Sequence, residues 1–337
     1  MRTILLTPWW LLEIFGIAKS FRNNPIIGSR VLNRIGLHVA RVLLAHAMTN
    51  FRWWLLAPLL PPEQRRRFRK NGFLVIRDFL PEQQFARLAA EIRGFHGELR
   101  ECIQGDTLTL NGFLDDRTLT ACRECRALIE NRRFMRLMMY GGAKLRRPLF
   151  FVNCIKNGYG AGGGDPQKNS HSDTFHPTMK AWLFIDDVSD DNGPFCFVAG
   201  SQNLGWARLK WEYRQSIQGR DLPNRYAQNG SLRIEREELS ALGYPAPQSF
   251  KVPANTLVMA NTRGFHCRGQ APRSSRLALY AYSRSNPFTP YPGVGSRLWS
   301  RIEQHVAARL WRHEDKKAEK GGYPASWHLV PSDRLRD

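Results

Sequence analysis

The segment HSDTFHPTMKAWLFIDDVSDDNGPFCFVAGSQ, residues 171–202, decides the fold of this 337-residue chain. It holds two short apolar runs, MKAWLFIDDV at 179–188 and PFCFVAGS at 194–201, separated by an Asp-Asn-Gly turn. Each run has the length of a strand, and the turn between them consists of residues that favour tight reversals of the chain. The segment therefore predicts two strands of an antiparallel sandwich or barrel.

The same pattern continues on both sides of this segment. Further strands are predicted at NGFLVIRDFL (71–80), RPLFFVNCI (147–155), FKVPANTLVMAN (250–261) and RLALYAYS (276–283). After the first of these, Pro81 suits a helix start, and Phe85, Leu88 and Ile92 recur on one helical face. We therefore expect a mainly β domain of the α+β class, with helices flanking its sheets.

Composition divides the chain into three zones. We expect one domain over 61–290, interrupted by a charged helical insertion at about 205–247, between helical extensions at 1–60 and 291–337. The N-terminal zone is rich in Trp and Leu and carries seven Lys or Arg against one acid. Such a segment suits a helix lying in the interface of an anionic membrane. It equally suits two helices packed on the domain, with their tryptophans in its core.

The charge of the chain is strongly positive. Its 50 Lys and Arg against 29 Asp and Glu give +21, which implies a polyanionic neighbour. Nucleic acid is disfavoured, because the aromatic residues lie in apolar runs without a base-stacking motif. The six cysteines are expected to be free thiols in a reducing cytoplasm. The N-terminus has no clear export signal, so we expect a cytoplasmic protein, with a peripheral place at the inner membrane face as the alternative.

A candidate metal site lies at the start of the quoted segment. Side chains alternate along an extended chain, so His171 and Asp173 point the same way and can hold one cation together. Two histidines and one carboxylate on one face of iron(II) leave positions open for a 2-oxo acid and dioxygen. The third ligand must come from a distant strand, and His266 follows the predicted strand at 250–261. His176 is the nearest competitor, with a structural role favoured for it.

An arginine follows the three candidate metal ligands in the sequence. Arg276 lies ten residues after His266, at the start of a predicted strand. A guanidinium facing inward there could clamp the far carboxylate of 2-oxoglutarate through paired charge-assisted hydrogen bonds. Arg268 and Arg273 are rival anchors.

Three stretches of the sequence resemble the phytanoyl-CoA dioxygenase family of iron- and 2-oxoglutarate-dependent oxygenases. They are FRKNGFLVIRDFLPEQQFARL (68–88), the HSD and DDVSDDNGPFCFVAGSQ parts of 171–202, and KVPANTLVMANTRGFHCRGQAPRSSRLALY (251–280). The resemblance covers roughly 68–205 and 248–285. In the loop that ends the second stretch, Ala199 and Gln202 replace the family's usual Pro and His.

The resemblance implies a double-stranded β-helix (jelly-roll, cupin-like) core, Fe(II), 2-oxoglutarate and dioxygen. It implies that His171, Asp173 and His266 are the metal ligands, that Arg276 anchors the co-substrate and that Trp182 lies beside it, although a core role for Trp182 is equally favoured. The carboxylate position is filled, which favours hydroxylation or desaturation over halogenation.

The expected activity is hydroxylation of an aliphatic carbon, with succinate and carbon dioxide as co-products. The basic surface and the apolar N-terminal zone favour an anionic or lipid-like small molecule, such as an acyl thioester, as substrate. The alternatives are a non-catalytic β-helix protein that acts as a sensor or binding module, and an oxygenase directed at nucleic acid.

Overall fold

The computed structural model describes residues 2–160, 164–272, 274–295, 297–322 and 325–335, with the side chains of 2–7 and 297 excepted. The strands are β1 (Phe73–Ile76), β2 (Leu99–Gln104), β3 (Thr107–Phe113), β4 (Leu149–Asn157), β5 (Met179–Phe184), β6 (Phe195–Phe197), β7 (Gln248–Ser249), β8 (Leu257–Asn261), β9 (His266–Arg268), β10 (Ser275–Ser283) and β11 (His328–Val330).

The strands form two sheets that share a core. The larger sheet has the order β1-β8-β5-β10-β4-β3-β2-β11, and the smaller has the order β7-β6-β9. His171 extends the smaller sheet through a bridge to His266. One cluster of buried side chains contains Phe184 and Val258 from the larger sheet and Phe197 from the smaller. Two antiparallel sheets packed in this way confirm the predicted double-stranded β-helix.

Helices cover the other face of the larger sheet and make up much of the N- and C-terminal extensions. They are α1 (Arg2–Ile14), α2 (Arg30–Arg34), α3 (Leu37–Leu55), α4 (Pro62–Asn71), α5 (Glu82–Arg93), α6 (Thr118–Ala121), α7 (Arg123–Glu130), α8 (Arg132–Gly141), α9 (Trp206–Ile217), α10 (Arg225–Gln228), α11 (Arg236–Ala241) and α12 (Arg297–Gly321). Leu88 of α5, Leu128 of α7 and Leu137 of α8 share a core cluster with Leu279 of β10. No helix in the described ranges is both long and apolar enough to cross a membrane.

Some details of the sheets differ from the sequence prediction. Strand β11 of the larger sheet comes from the extension at 291–337, which was expected to be helical. The segment 250–261 was expected to be one strand, but only its second half, β8, is a regular strand. Asn255 adopts a left-handed conformation with φ of 61° and bonds through its side chain to both polar backbone atoms of Leu80. That turn interrupts the extended chain. The hairpin of β2 and β3 was not predicted, although Leu108 and Leu110 alternate with polar residues there.

A buried ionic cluster joins the insertion to the β-domain and to the N-terminal helices. Glu212 of α9 accepts hydrogen bonds from Arg208 at 2.7 Å and from Arg263 at 2.8 Å, and lies 3.4 Å from His38 of α3. Burial alone would raise the pKa of Glu212, but the two guanidinium groups outweigh it and hold that pKa well below its usual range. The carboxylate is therefore ionised and compensated by both arginines.

We expect Glu212→Gln to lower the free energy of unfolding by about 3–5 kcal/mol, because it leaves buried guanidinium groups uncompensated. Chemical denaturation measures this change. Glu63→Gln is the matched control, since Glu63 pairs with Arg67 on the exposed surface of α4 and such pairs contribute little. Equal effects of the two substitutions would contradict the prediction.

Candidate active site

The two sheets bring His171, Asp173 and His266 together. His171 and His266 exchange backbone hydrogen bonds of 2.9 Å in each direction, and the amide of Asp173 donates to Thr262 O at 2.9 Å. These bonds fix the main chain on both sides of the group. These backbone hydrogen bonds hold His266 next to His171 and Asp173, although His266 is far from them in the sequence.

The ligand atoms of the three side chains converge. Asp173 Oδ1 lies 3.7 Å from His171 Nε2 and 3.6 Å from His266 Nε2. One ligand atom from each residue lies within 4.8 Å of the other two, and no other such group of His, Cys, Asp or Glu occurs among the described residues. One cation with bonds of about 2.0–2.2 Å can bridge each His–Asp separation. The arrangement therefore fits the facial triad that the sequence predicts.

The histidine rings are oriented for metal binding. Nδ1 of His171 lies 2.8 Å from Asn169 O, and Nδ1 of His266 lies 2.8 Å from Gly264 O. A carbonyl only accepts, so each Nδ1 carries the proton and each Nε2 presents a lone pair. Nε2 of His266 is buried and has no hydrogen-bond partner. This unsatisfied atom suits a bound cation.

The charge states also suit a cation. Burial, followed by the proximity of His266, holds the pKa of His171 well below its usual range, so the ring is neutral. Burial would raise the pKa of Asp173, but the Lys180 ammonium outweighs it and holds the pKa well below the usual range. Lys180 Nζ lies 2.8 Å from Asp173 Oδ2. A neutral imidazole and an ionised carboxylate are the forms that bind metal.

His176, the competitor for a ligand role, lies outside this group. It is buried, and its Nδ1 is 3.1 Å from Pro177 O. Burial holds its pKa well below the usual range. Its ring packs against Phe175 with centroids 4.9 Å apart. These contacts are those of a structural residue.

Arg276 and Trp182 line a cavity of about 190 Å³ together with His171 and His266. We call it the Arg276 cavity. Arg276 is buried, and its Nε and Nη1 have no hydrogen-bond partner. Burial lowers the pKa of this guanidinium to about 9. An unpaired buried guanidinium that faces a cavity is a site for an anion.

One of the two rival anchors, Arg268, is paired with another residue. Arg268 lines the same cavity but pairs with buried Asp165 at 2.8 Å. Arg273 lies outside the described residues. Trp182 forms part of the cavity wall, with its ring 4.6 Å from that of Phe195 and 5.7 Å from that of Tyr280. It is therefore both a packed residue and a cavity residue.

A second cavity of about 350 Å³ adjoins the first, and we call it the Lys19 cavity. Asp173 lines it, so the triad lies where the two cavities meet. Its cations are Lys19, Lys180 and Arg284, in addition to an arginine that is paired elsewhere. The residues that line both cavities are Asn111, Lys180, Tyr280 and Trp327.

Strand β10 runs along both cavities. Arg276, Tyr280 and Tyr282 have even spacing, so they share one face of the strand, and Arg284 continues the series just past its end. Arg276 lines only the first cavity, Tyr280 lines both, and Tyr282 and Arg284 line only the second. One strand therefore carries a guanidinium at each end of the combined space.

Several cavity residues were not found from the sequence. Lys180 could have been found, because it shares a strand face with Trp182. Lys19 could not, since it belongs to the N-terminal extension and reaches the site only through tertiary packing, where its ammonium donates to the backbone oxygen of Asp173. Trp311 and Trp327 reach the Lys19 cavity from the C-terminal extension in the same way.

Solved structures give three likenesses. The non-heme alpha ketoglutarate dependent epimerase SnoN from nogalamycin biosynthesis is 17% identical over 64% of this chain and 79% of its own, with a TM-score of 0.39. The carbocyclase SnoK from the same biosynthesis is 17% identical over 80% and 96%, with 0.42. HygX from Streptomyces hygroscopicus is 17% identical over 66% and 86%, with 0.39. Similarities with TM-scores this low support no conclusion about this chain. No curated protein matches it at a significant level.

The decisive comparison is with a protein family. The family model described as phytanoyl-CoA dioxygenase matches residues 68–234, from the end of α4 through His171 and Asp173 to the helical insertion. His266 and Arg276 lie beyond the matched range. The match confirms the resemblance read from the sequence, with the iron and 2-oxoglutarate that it implies. Residues 68–234 therefore form a phytanoyl-CoA dioxygenase family domain, and the chain is a 2-oxoglutarate-dependent dioxygenase.

Proposed function

We propose that this protein hydroxylates an aliphatic carbon of an anionic small molecule, with His171, Asp173 and His266 as the iron ligands. The observation that carries the proposal is the convergence of this triad beside an unpaired buried arginine. When bound, iron(II) with 2-oxoglutarate and dioxygen supplies the oxidising power that converts C–H into C–OH, with succinate and carbon dioxide as co-products.

Arg276 and Trp182 would hold the co-substrate. Nε and Nη1 of Arg276 have no hydrogen-bond partner, so the guanidinium is available to donate charge-assisted hydrogen bonds to a carboxylate. Such a pair would fix the far end of 2-oxoglutarate, while its 2-oxo acid end lies towards His171 and His266. The ring of Trp182 closes one wall and keeps water from the buried guanidinium. The Arg276 cavity is thus suited to a short dianion.

Lys180 would position the carboxylate of Asp173. Its ammonium lies 2.8 Å from Oδ2, which leaves Oδ1 as the oxygen nearer to both imidazoles. The ion pair therefore selects which carboxylate oxygen faces the metal position. Because Asp173 fills that position, the reaction expected is hydroxylation or desaturation rather than halogenation.

The Lys19 cavity would receive the substrate. Burial is the main cause that lowers the pKa of Lys19 to about 8, and Arg284 and Lys180 act in the same direction while Asp173 opposes them. Nε of Arg284 is buried without a hydrogen-bond partner. Positive charges placed together in this way favour an anionic ligand. The aromatic wall, which suits an apolar body, consists of Phe113, Phe151, Tyr280, Tyr282, Trp311 and Trp327.

These features together support a substrate with an acidic group and an apolar chain, such as a fatty acid, an acyl thioester or an anionic lipid. Lys19 and Arg284 would meet the acidic group, and the aromatic side chains would contact the apolar chain. The N-terminal extension would then contribute Lys19 to the active site.

Matched probes test the substrate class. We expect dodecanoate and dodecyl phosphate to stimulate succinate release by the iron-loaded protein, and dodecanol to give little stimulation, since only the first two carry an anion. Lys19→Met is expected to lower kcat/KM for the anionic probes by about tenfold, the value of one charge-assisted hydrogen bond. Succinate release without substrate is measured for each variant as the reference.

Lys251→Met is the control, because Lys251 pairs with Asp190 on the exposed surface, away from both cavities. Equal stimulation by dodecanol and dodecanoate would overturn the substrate class while leaving the dioxygenase activity intact. Binding of metal and 2-oxoglutarate without succinate release from any probe would argue for a binding protein instead.

A further inference from the structure

Helix α3 exposes mainly apolar side chains and buries most of its polar ones, together with Val42, Ala45 and Trp53. The buried residues of this helix include Arg41, His46, Thr49 and Arg52. The exposed large side chains form a row with helical spacing, which we call the α3 row, and are Leu43 (45%), Leu44 (45%), Phe51 (45%), Trp54 (68%) and Leu55 (40%). A helix of a water-soluble domain has the opposite arrangement. The exposed side of α3 therefore suits contact with an apolar environment rather than with water.

Hydrogen bonds hold α3 in this orientation. Arg41 donates to the backbone oxygens of Ile14, Gly16 and Ala18. Eleven residues later, Arg52 donates to the backbone oxygen of Asn286 and to Thr49 Oγ1. Both guanidinium groups are buried, and turning the helix would leave them unsatisfied. The apolar row cannot turn inward without that cost.

Positive charge lies beside the α3 row. Arg69 of α4 donates to Asn50 Oδ1 at 3.3 Å, which places α4 against the exposed side of α3. Arg66 and Lys70 are exposed on the same face of α4 as Arg69, since the three have helical spacing. Helix α3 itself contains no acidic residue. The surface is thus an apolar row with a basic border.

We propose that the α3 row is a docking surface for an anionic lipid bilayer. In a bilayer interface, tryptophan lies at the level of the headgroups, leucine and phenylalanine enter the acyl region, and basic side chains meet anionic headgroups. Trp54, Phe51 and Arg69 occupy these three roles. A second copy of the chain is a poorer occupant, because a symmetric contact through this row would bring two basic borders together.

Flotation with vesicles tests this surface without metal or substrate, so its outcome is independent of the proposed function. At low salt we expect the protein to float with vesicles of phosphatidylcholine and phosphatidylglycerol, and to remain in solution with phosphatidylcholine alone. The double variant Phe51→Gln/Trp54→Gln should bind the anionic vesicles at least about tenfold more weakly, because it removes two inserted aromatic groups. Thermal unfolding of the variant checks that it is folded.

Two controls make the test specific. Trp206→Gln removes a tryptophan that is 82% exposed on α9, outside the α3 row, and should leave binding unchanged. Ile302→Gln/Val306→Gln alters exposed apolar residues of α12 and should also leave it unchanged. Quenching by brominated lipids should be weaker in Trp54→Phe than in the wild type, because Trp54 enters the bilayer.

Three results would overturn the proposal. The first is a wild-type protein that stays in solution with anionic vesicles at low salt. The second is binding that the α12 variant abolishes and the α3 variant does not. The third is a concentration-dependent dimer, seen without lipid by light scattering, that the α3 variant dissociates.

Discussion

Replacing His171 with alanine is expected to abolish both metal binding and turnover. Its Nε2 is one of three ligand atoms within 4.8 Å, and two remaining ligands hold iron(II) far more weakly than three. We expect succinate release to fall by about a thousandfold, or roughly 4 kcal/mol. Anaerobic titration with Fe(II) and 2-oxoglutarate should show the weak visible charge-transfer band for the wild type and none for His171→Ala.

His176→Gln provides the matched control. His176 is as buried as His171 and lies only five residues away, but it is not part of the converging group. The control should keep the band and most of the turnover. A variant His176→Gln without the band, together with a His171→Ala variant that retains it, would exchange the roles of the two histidines and contradict the assigned triad.

Arg276→Gln is expected to raise the KM for 2-oxoglutarate by about 140-fold. Two charge-assisted hydrogen bonds to the far carboxylate are lost, at about 1.5 kcal/mol each, and a factor of ten corresponds to 1.4 kcal/mol. Arg276→Lys should recover part of the affinity, because it keeps the charge without the fork. The KM and kcat are measured with succinate release at saturating iron.

Arg273→Gln tests the rival anchor and should leave the KM unchanged. A second discriminating measurement uses 2-oxobutyrate, which lacks the far carboxylate. The wild type should accept this analogue poorly, and Arg276→Gln should no longer prefer 2-oxoglutarate over it. A full preference for 2-oxoglutarate in Arg276→Gln would mean that another cation binds the far carboxylate.

The sequence predicted the β-domain because its cues are local. Strands β5 and β6 flank an Asp-Asn-Gly turn, and the His-x-Asp spacing places two ligand candidates on one side of an extended chain. The third candidate, His266, required only a histidine close to a predicted strand. The interruption before β8 was missed, because the left-handed Asn255 is stabilised by Leu80, a residue distant in the sequence.

The substrate side could not be predicted in this way. Lys19 and Trp311 lie almost 300 residues apart in the sequence, and both line the Lys19 cavity. Neither stands in a recognisable pattern, so only tertiary packing assigns them to the site. The exposure of the apolar residues of α3 could not be predicted for a related reason. Polar and apolar residues are interspersed along this helix in the sequence, and periodicity alone does not tell which side faces the solvent.

The two guanidinium groups along β10 bear on where a substrate would be oxidised. Eight residues separate Arg276 from Arg284, which is about 26 Å along an extended chain. Because one strand sets this spacing, an acidic group held at Arg284 stands at a constant distance from the triad. We therefore expect hydroxylation at a fixed number of carbon atoms from the acidic group. Substrates with longer or shorter acyl chains should be hydroxylated at the same carbon, counted from that group.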